Sequence, residues 1–151
     1  MVPARFPEDA GVIRALLREY ADGLGVDLCF QGFEAELAGL PGDYAEPAGT
    51  LLLARDAASI AGCGALRRID PLRCEMKRLY VRASHRGRGL GEQLALALIE
   101  AARSKGYRRM CLDTLPSMVE AHGLYRRLGF EPIAPYRPNP VEGALFMEKT
   151  L

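Results

Sequence analysis

The sequence predicts an α+β fold, one mixed antiparallel and parallel sheet flanked by about four helices. Three observations lead there. The chain has 151 residues, 49% hydrophobic and 26% charged. That suits one domain over residues 1–151, burying roughly two thirds of the surface its unfolded chain exposes. Three strand-like runs follow one another between residues 50 and 82 with only short turns between them. After residue 84 the pattern changes to helix, strand, helix and closing strands.

The elements follow in order. Over residues 8–22, Val12, Ile13, Leu16, Leu17, Tyr20 and Leu24 recur at helical steps, with Gly23 and Gly25 as a stop. A shorter helical pattern carries Phe30, Phe33, Leu37 and Leu40 and ends at Pro41-Gly42. Thr50–Arg55 is an apolar run fit for a buried strand. Ser59–Arg68 is its hairpin partner across Asp56-Ala57-Ala58, and Arg73–Arg82 is a third strand without Gly or Pro. Ser84–Gly91 is a basic, glycine-rich loop. It enters a helix over 91–104 with Leu94, Leu98, Ile99 and Ala102 on its apolar face, ended by Gly106. Arg109–Thr114 reads as a strand. Pro116-Ser117 opens a helix reaching Leu128, which Gly129 closes. Strands over Phe130–Tyr136 and Gly143–Thr150, separated by Pro138-Asn139-Pro140, complete the sheet.

Charge and cysteine content narrow the function. Lys plus Arg number 20 and Asp plus Glu 19, a net charge of +1. Such balance lacks the footprint of a nucleic-acid or membrane-surface binder, so neither partner is expected. The amino-terminal residues lack the apolar run of a signal peptide, and no stretch approaches the ~20 apolar residues of a membrane span. Cys29, Cys63, Cys74 and Cys111 form no C-x-x-C pair, and only His85 and His122 accompany them. No metal site is expected, and four small apolar thiols suit the reducing cytoplasm.

The loop carries the chemistry. Glycines at 87, 89 and 91 permit positive φ and close approach of a ligand, and the loop leads into a helix whose first amides lack intrahelical acceptors. With Arg82, His85, Arg86 and Arg88 alongside, this is a site for a diphosphate. A dinucleotide fingerprint would need glycine where Glu92 stands, and a Walker A loop would end in Gly-Lys-Ser/Thr where the chain has Gly91-Glu92-Gln93. Neither template fits. Ser84 beside His85 is not read as a nucleophile pair, because neighbours on an extended chain point apart and no orienting carboxylate is evident.

Arg86-x-x-Gly89-x-Gly91 is instead similar to the Q/R-x-x-G-x-G/A signature of the GCN5-related N-acetyltransferases (GNAT). The strand Glu75–Val81, the helix after the loop, and Ala121-His122-Gly123-Leu124-Tyr125-Arg126-Arg127-Leu128-Gly129-Phe130 resemble that family in the same order. The resemblance implies an N-acetyltransferase that passes an acetyl group from acetyl-coenzyme A directly to the amine of a small molecule through a ternary complex. It implies a sheet splayed between strands 73–82 and 109–114. Leu79, Tyr80 and Val81 would receive the pantetheine arm, an amide near Leu79 or Tyr80 would polarise the thioester carbonyl, and Arg86, Gly87, Arg88, Gly89, Leu90, Gly91 and Glu92 would hold the diphosphate.

Tyr125 matches the family's general acid, and Glu75 the glutamate base of its histone-acetylating branch. An ion-paired strand glutamate, or a water chain as base, is the alternative at position 75. His122 is read as a packing residue. Where the family frequently has Asn this chain has Met118, with Ser117 as the substitute ligand. Gln31, Glu34, Asp43, Tyr44, Arg67, Tyr136, Arg137 and Asn139 occupy the regions that set acceptor choice. Their arginines and tyrosines suit a carboxylate, hence an amino acid or related amine. The competing function is a non-catalytic acyl-coenzyme A sensor. A homodimer through the end strands, with Val141–Phe146, stays open.

Overall fold

The computed structural model describes residues 1–24, 32–139 and 141–151. Among the described residues seven strands form one sheet, lying side by side in the order Val2–Pro3, Thr50–Asp56, Ser59–Arg68, Arg73–Val81, Arg109–Thr114, Leu145–Thr150 and Glu131–Ile133. In chain order the elements are β1 (Val2–Pro3), α1 (Ala10–Leu24), α2 (Phe33–Ala38), β2 (Thr50–Asp56), β3 (Ser59–Arg68), β4 (Arg73–Val81), α3 (Leu90–Ser104), β5 (Arg109–Thr114), α4 (Val119–Arg127), β6 (Glu131–Ile133) and β7 (Leu145–Thr150). Every neighbouring pair is antiparallel except β4 and β5.

Alternation along the strands sends side chains to two cores. On one face Leu52, Leu66, Met76, Met110 and Leu112 pack with Leu94, Leu98, Ile99 and Ala102, the predicted stripe of α3, and with Tyr125 and Phe130. On the other, Leu51, Leu53, Cys63 and Ala65 pack with Ile13, Leu16 and Leu17 of α1 and Phe33 and Leu37 of α2. Both faces are covered, which is why β2 and β3 read as apolar runs rather than clean alternations.

Strand β4 contains a bulge. Cys63 pairs with Tyr80 and Ala65 with Lys77, so Gly64 alone faces both Arg78 and Leu79. Arg78 takes φ +59°, in the left-handed region. The extra residue shifts the alternation. Met76, Leu79 and Val81 face α3, while Arg78 and Tyr80 face α1 and α2. A side chain at position 64 would force Leu98 to move, because its Cβ would lie 2.8 Å from Leu98 Cδ1 and 3.2 Å from Leu79 Cδ1.

Element boundaries differ from the sequence expectation for local reasons. Phe30, the start expected for the second helix, lies outside the described residues, as do Gly25, Cys29 and Gln31. The described α2 starts at Phe33, after Gly32 in a left-handed conformation. Helix α4 begins at Val119, after a turn in which the Met118 amide donates to Leu115 O at 3.0 Å. Strand β6 stops at Ile133 rather than Tyr136; Pro135 follows closely and carries no amide proton for a ladder. The edge strand β1 was not foreseen, being two residues long.

Candidate active site

The site is built on an interruption of the sheet. β4 and β5 run parallel and pair over only three positions, Arg73 with Arg109, Cys74 with Met110 and Glu75 with Cys111. Beyond them the strands part, leaving the far half of β4 paired to β3 alone on that stretch. The gap opens where the bulge lies. Met76, Lys77, Arg78 and Leu79 border it from β4, Asp113 and Thr114 from β5, and Tyr125 from α4.

A larger cavity of about 450 Å³ continues along β4 to the glycine loop. It shares Tyr20, Leu24, Leu79 and Met118 with the gap and adds Tyr80, Val81, His85, Arg86, Gly87, Gly89, Leu90, Gly91 and Glu92. Gly89 is the N-cap of α3, at φ +74°, and no side chain caps the helix. The first helical bond is from the Gln93 amide to Gly89 O at 3.1 Å, so the amides of Leu90, Gly91 and Glu92 lie ahead of it with no intrahelical acceptor. A Cβ at Gly87 or Gly89 would meet nothing within 4 Å, so both positions need glycine for backbone conformation and ligand approach, not for internal packing. The Arg86 Nε donates to Val81 O at 3.0 Å and its guanidinium lies over the Tyr80 ring at 5.8 Å. Uncapped amides, a fixed guanidinium and an adjoining cavity fit a coenzyme's diphosphate.

Two of the expected ligand residues have side chains apart from this lining. Arg88 does not line this cavity; it is turned to Asp56, at 3.4 Å, with its side chain 60% exposed. Ser117 is exposed and lines neither cavity, whereas Met118 lines both. Ser84 and His85 also depart from expectation. Their segment is a 3-10 turn rather than an extended chain. The Ser84 hydroxyl therefore reaches His85 Nδ1 at 2.8 Å, and Asp56 lies 3.3 Å from Nε2.

Tyr125 is 6% exposed, edge-on to Phe130 at 5.7 Å, and burial pushes its phenol above the ordinary range. It therefore stays protonated across neutral pH. His122 is buried with Nε2 2.8 Å from Leu115 O, consistent with the packing reading.

Glu75 requires a correction. Its side chain has no exposed surface. One oxygen accepts from Arg67 Nε at 2.7 Å, and the other from the Tyr136 hydroxyl and Arg137 Nη2. A carboxylate whose oxygens are committed to two guanidiniums and a phenol is poorly suited to accept a substrate proton. The acid that does border the gap is Asp113, 3.8 Å from Lys77 Nζ, 3.5 Å from Arg137 and 3.3 Å from Asn139 Nδ2. Burial pushes the Lys77 ammonium down to about 8, against the pull of Asp113. Lys77, Asp113 and Tyr20 were not singled out for the site from sequence. Their signal was positional, since each lies beside the point where the two parallel strands separate.

Known proteins resemble this chain in sequence and in fold. The model of the acetyltransferase (GNAT) family matches residues 13–130. An uncharacterized N-acetyltransferase of Schizosaccharomyces pombe is 39% identical over 145 residues, 95% of this chain and 89% of that protein. An L-methionine sulfoximine/L-methionine sulfone acetyltransferase of Pseudomonas aeruginosa is 49% identical over 53 residues, 35% of this chain and 31% of that one. Among solved structures, a GNAT family acetyltransferase from Elizabethkingia anophelis with acetyl-CoA bound superimposes with a TM-score of 0.60 at 25% identity, covering 69% of this chain and 77% of that one. The chain belongs to the GNAT family of acetyltransferases. It is an acetyl-CoA-dependent acyltransferase by class.

Among the described residues no helix is long and apolar enough to cross a membrane, and no cluster of His, Cys, Asp or Glu is placed to hold a metal.

Proposed function

We propose that this chain, a single catalytic domain over residues 1–151, acetylates the amine of a small molecule by direct attack within a ternary complex. The observation that carries the reading is the gap between β4 and β5. It joins a bulged strand edge, a buried phenol and a carboxylate at the end of a cavity that runs to the glycine loop. Bound acetyl-CoA supplies the activated acyl carbonyl. Arg86, Gly87, Gly89, Leu90, Gly91 and Glu92 form the diphosphate seat, which aims the thioester end towards the gap. Leu79, Tyr80 and Val81 offer strand-edge backbone groups to the pantetheine arm, and an amide of Leu79 or Tyr80 donates to the carbonyl oxygen. Tyr125 holds a proton for the departing sulfur. Asp113, in place of Glu75, draws the acceptor's ammonium into the gap and receives its proton, directly or through water.

The relative named for L-methionine sulfoximine and L-methionine sulfone supports an amino-acid-like acceptor. Buried free thiols at Cys63, Cys74 and Cys111 favour a reducing compartment such as the cytoplasm.

The test is thiol release from acetyl-CoA against amino acids, polyamines, aminoglycosides and peptides, with Asp113→Asn alongside. The expected result is turnover with small amines and loss of the rate in the variant at low pH first. Coenzyme binding without turnover on any amine would favour the sensor function instead.

A further inference from the structure

A separate cavity, of about 470 Å³, is not used by the transfer reaction as described. Arg67 and Arg68 of β3, Tyr136, Arg137 and the wholly buried Glu75 line it, with Asp43. Glu75 holds Arg67 and Arg137 from opposite sides. Each guanidinium remains about one quarter exposed, 26% and 25%.

Neither is fully occupied. Arg67 gives Nε to Glu75 and approaches Asp43 only at 3.9 Å, where the Asp43 side chain is 81% exposed. Arg137 gives Nη2 to Glu75 and Asp113 and lies over the Tyr136 ring at 5.4 Å. Among the described residues its Nε and Nη1 make no hydrogen bond. A guanidinium offers five N–H donors in a fixed fork, so both retain donors for an incoming anion. The Tyr44 hydroxyl is a further unspent group. It is buried and has no hydrogen-bond partner among the described residues, on the wall of a 270 Å³ cavity that shares Gly42, Asp43 and Arg67 with this one. Burial, with the charge of Arg67, pushes Arg137 down to about 10.

We infer that Arg67 and Arg137, held in place by Glu75, form the subsite that binds a carboxylate of the acceptor. This rests on the acetyltransferase reading and names the substrate class, amines that carry a carboxylate. Glu75 is then a positioning residue. It orients both forks and keeps their remaining donors turned outward. The link to the reacting centre is Asp113, which touches Arg137 at 3.5 Å and borders the gap with Tyr125 and Leu79. A carboxylate held by the fork thus leaves a nearby amine beside Asp113.

The experiment is equilibrium binding, by calorimetry without acetyl-CoA, of the twenty common L-amino acids and of each one's carboxamide. Charge-assisted bonds to the fork are worth ~1.5–3 kcal/mol, so at least one acid should bind about 10- to 100-fold more tightly than its carboxamide. Arg137→Ala and Arg67→Ala should bring that ratio close to one. Arg137→Lys, which keeps the charge and loses the fork, should restore only part of it. Glu75→Gln should reduce the ratio while far-ultraviolet circular dichroism shows a folded chain. Equal binding of acid and carboxamide throughout the panel, no binding by any acid, or a ratio that survives Arg137→Ala would overturn the subsite. None of those results bears on acetyl transfer itself. An enzyme that turns over amines lacking a carboxylate would keep the transfer reading and lose this one.

Discussion

Replacing Arg78 probes the link between the bulge and the helix that covers it. The residue is 4% exposed and its guanidinium makes two 2.9 Å bonds to Glu36 of α2. It also lies over the Phe33 ring at 5.2 Å. Its backbone, at φ +59°, carries a steric cost of roughly 1–2 kcal/mol for any residue with a Cβ. Arg78→Ala leaves the Glu36 carboxylate, only 15% exposed, without its cation. Breaking a buried pair from one side costs ~3–5 kcal/mol, and the water that still reaches Glu36 places the loss at the lower end, about 3. At about 2–4 °C per kcal/mol for a chain of this length, the melting temperature falls by about 6–12 °C. Arg78→Gly loses the same pair but not the φ penalty. In an ordinary strand Gly is worse than Ala by roughly 0.5–1 kcal/mol, so here the order reverses and Gly is the more stable by about 0.5–1 kcal/mol. Urea unfolding with equal m-values measures both. A glycine variant no more stable than the alanine variant would refute the argument that the side-chain pair holds a strained backbone.

Tyr125→Phe should lower kcat about 100-fold or more and leave acetyl-CoA binding unchanged, measured by steady-state kinetics and calorimetry; loss of binding instead would make Tyr125 a wall of the cavity only. Two neighbouring glycines should respond with opposite signs. Gly89→Ala meets no atom within 4 Å but must hold φ +74°, costing about 1–2 kcal/mol and weakening coenzyme binding. Gly91→Ala lies inside α3 with its nearest contacts at 3.9 and 4.0 Å, and should gain helix stability of about 1 kcal/mol, read from urea midpoints. Lys77 sets a pH dependence. Its folded value is pushed down to about 8 from 10.5, so between those pH values the unfolded chain binds the proton more readily and stability rises with pH. Lys77→Met should flatten that rise in unfolding curves taken from pH 7 to 11, and an unchanged rise would assign it to other groups.

Much of the fold was legible because local and global signals agree. The β2–β3 hairpin follows from two apolar runs about one short turn, and α3 from a stripe that the core fills residue for residue at Leu94, Leu98, Ile99 and Ala102. The uncapped start of α3 was legible in the glycine loop, since positive φ at Gly87 and Gly89 is written in residue type. The direction of the Arg88 side chain was not legible, because a cation in a basic loop carries no mark of which way it turns, and Asp56 lies 32 residues away in sequence. Glu75 failed for a related reason. Its partners Arg67, Tyr136 and Arg137 come from β3 and from the segment before β7, so only the assembled sheet reveals that its oxygens are taken. The bulge was invisible for a third reason. Arg78 has no residue-type signal for a left-handed backbone, and its conformation depends on Glu36 and on the space that Gly64 leaves opposite.

The brief parallel contact between β4 and β5 gives the molecule a seam. Backbone bonding stitches it at three rungs only. Arg137 spans the join where it ends, from Glu75 on the last rung to Asp113, two residues beyond Cys111. A carboxylate seated on those guanidiniums would therefore share Arg137 with the tie between β4 and β5, so the subsite inferred above and the edge of the opening have one side chain in common.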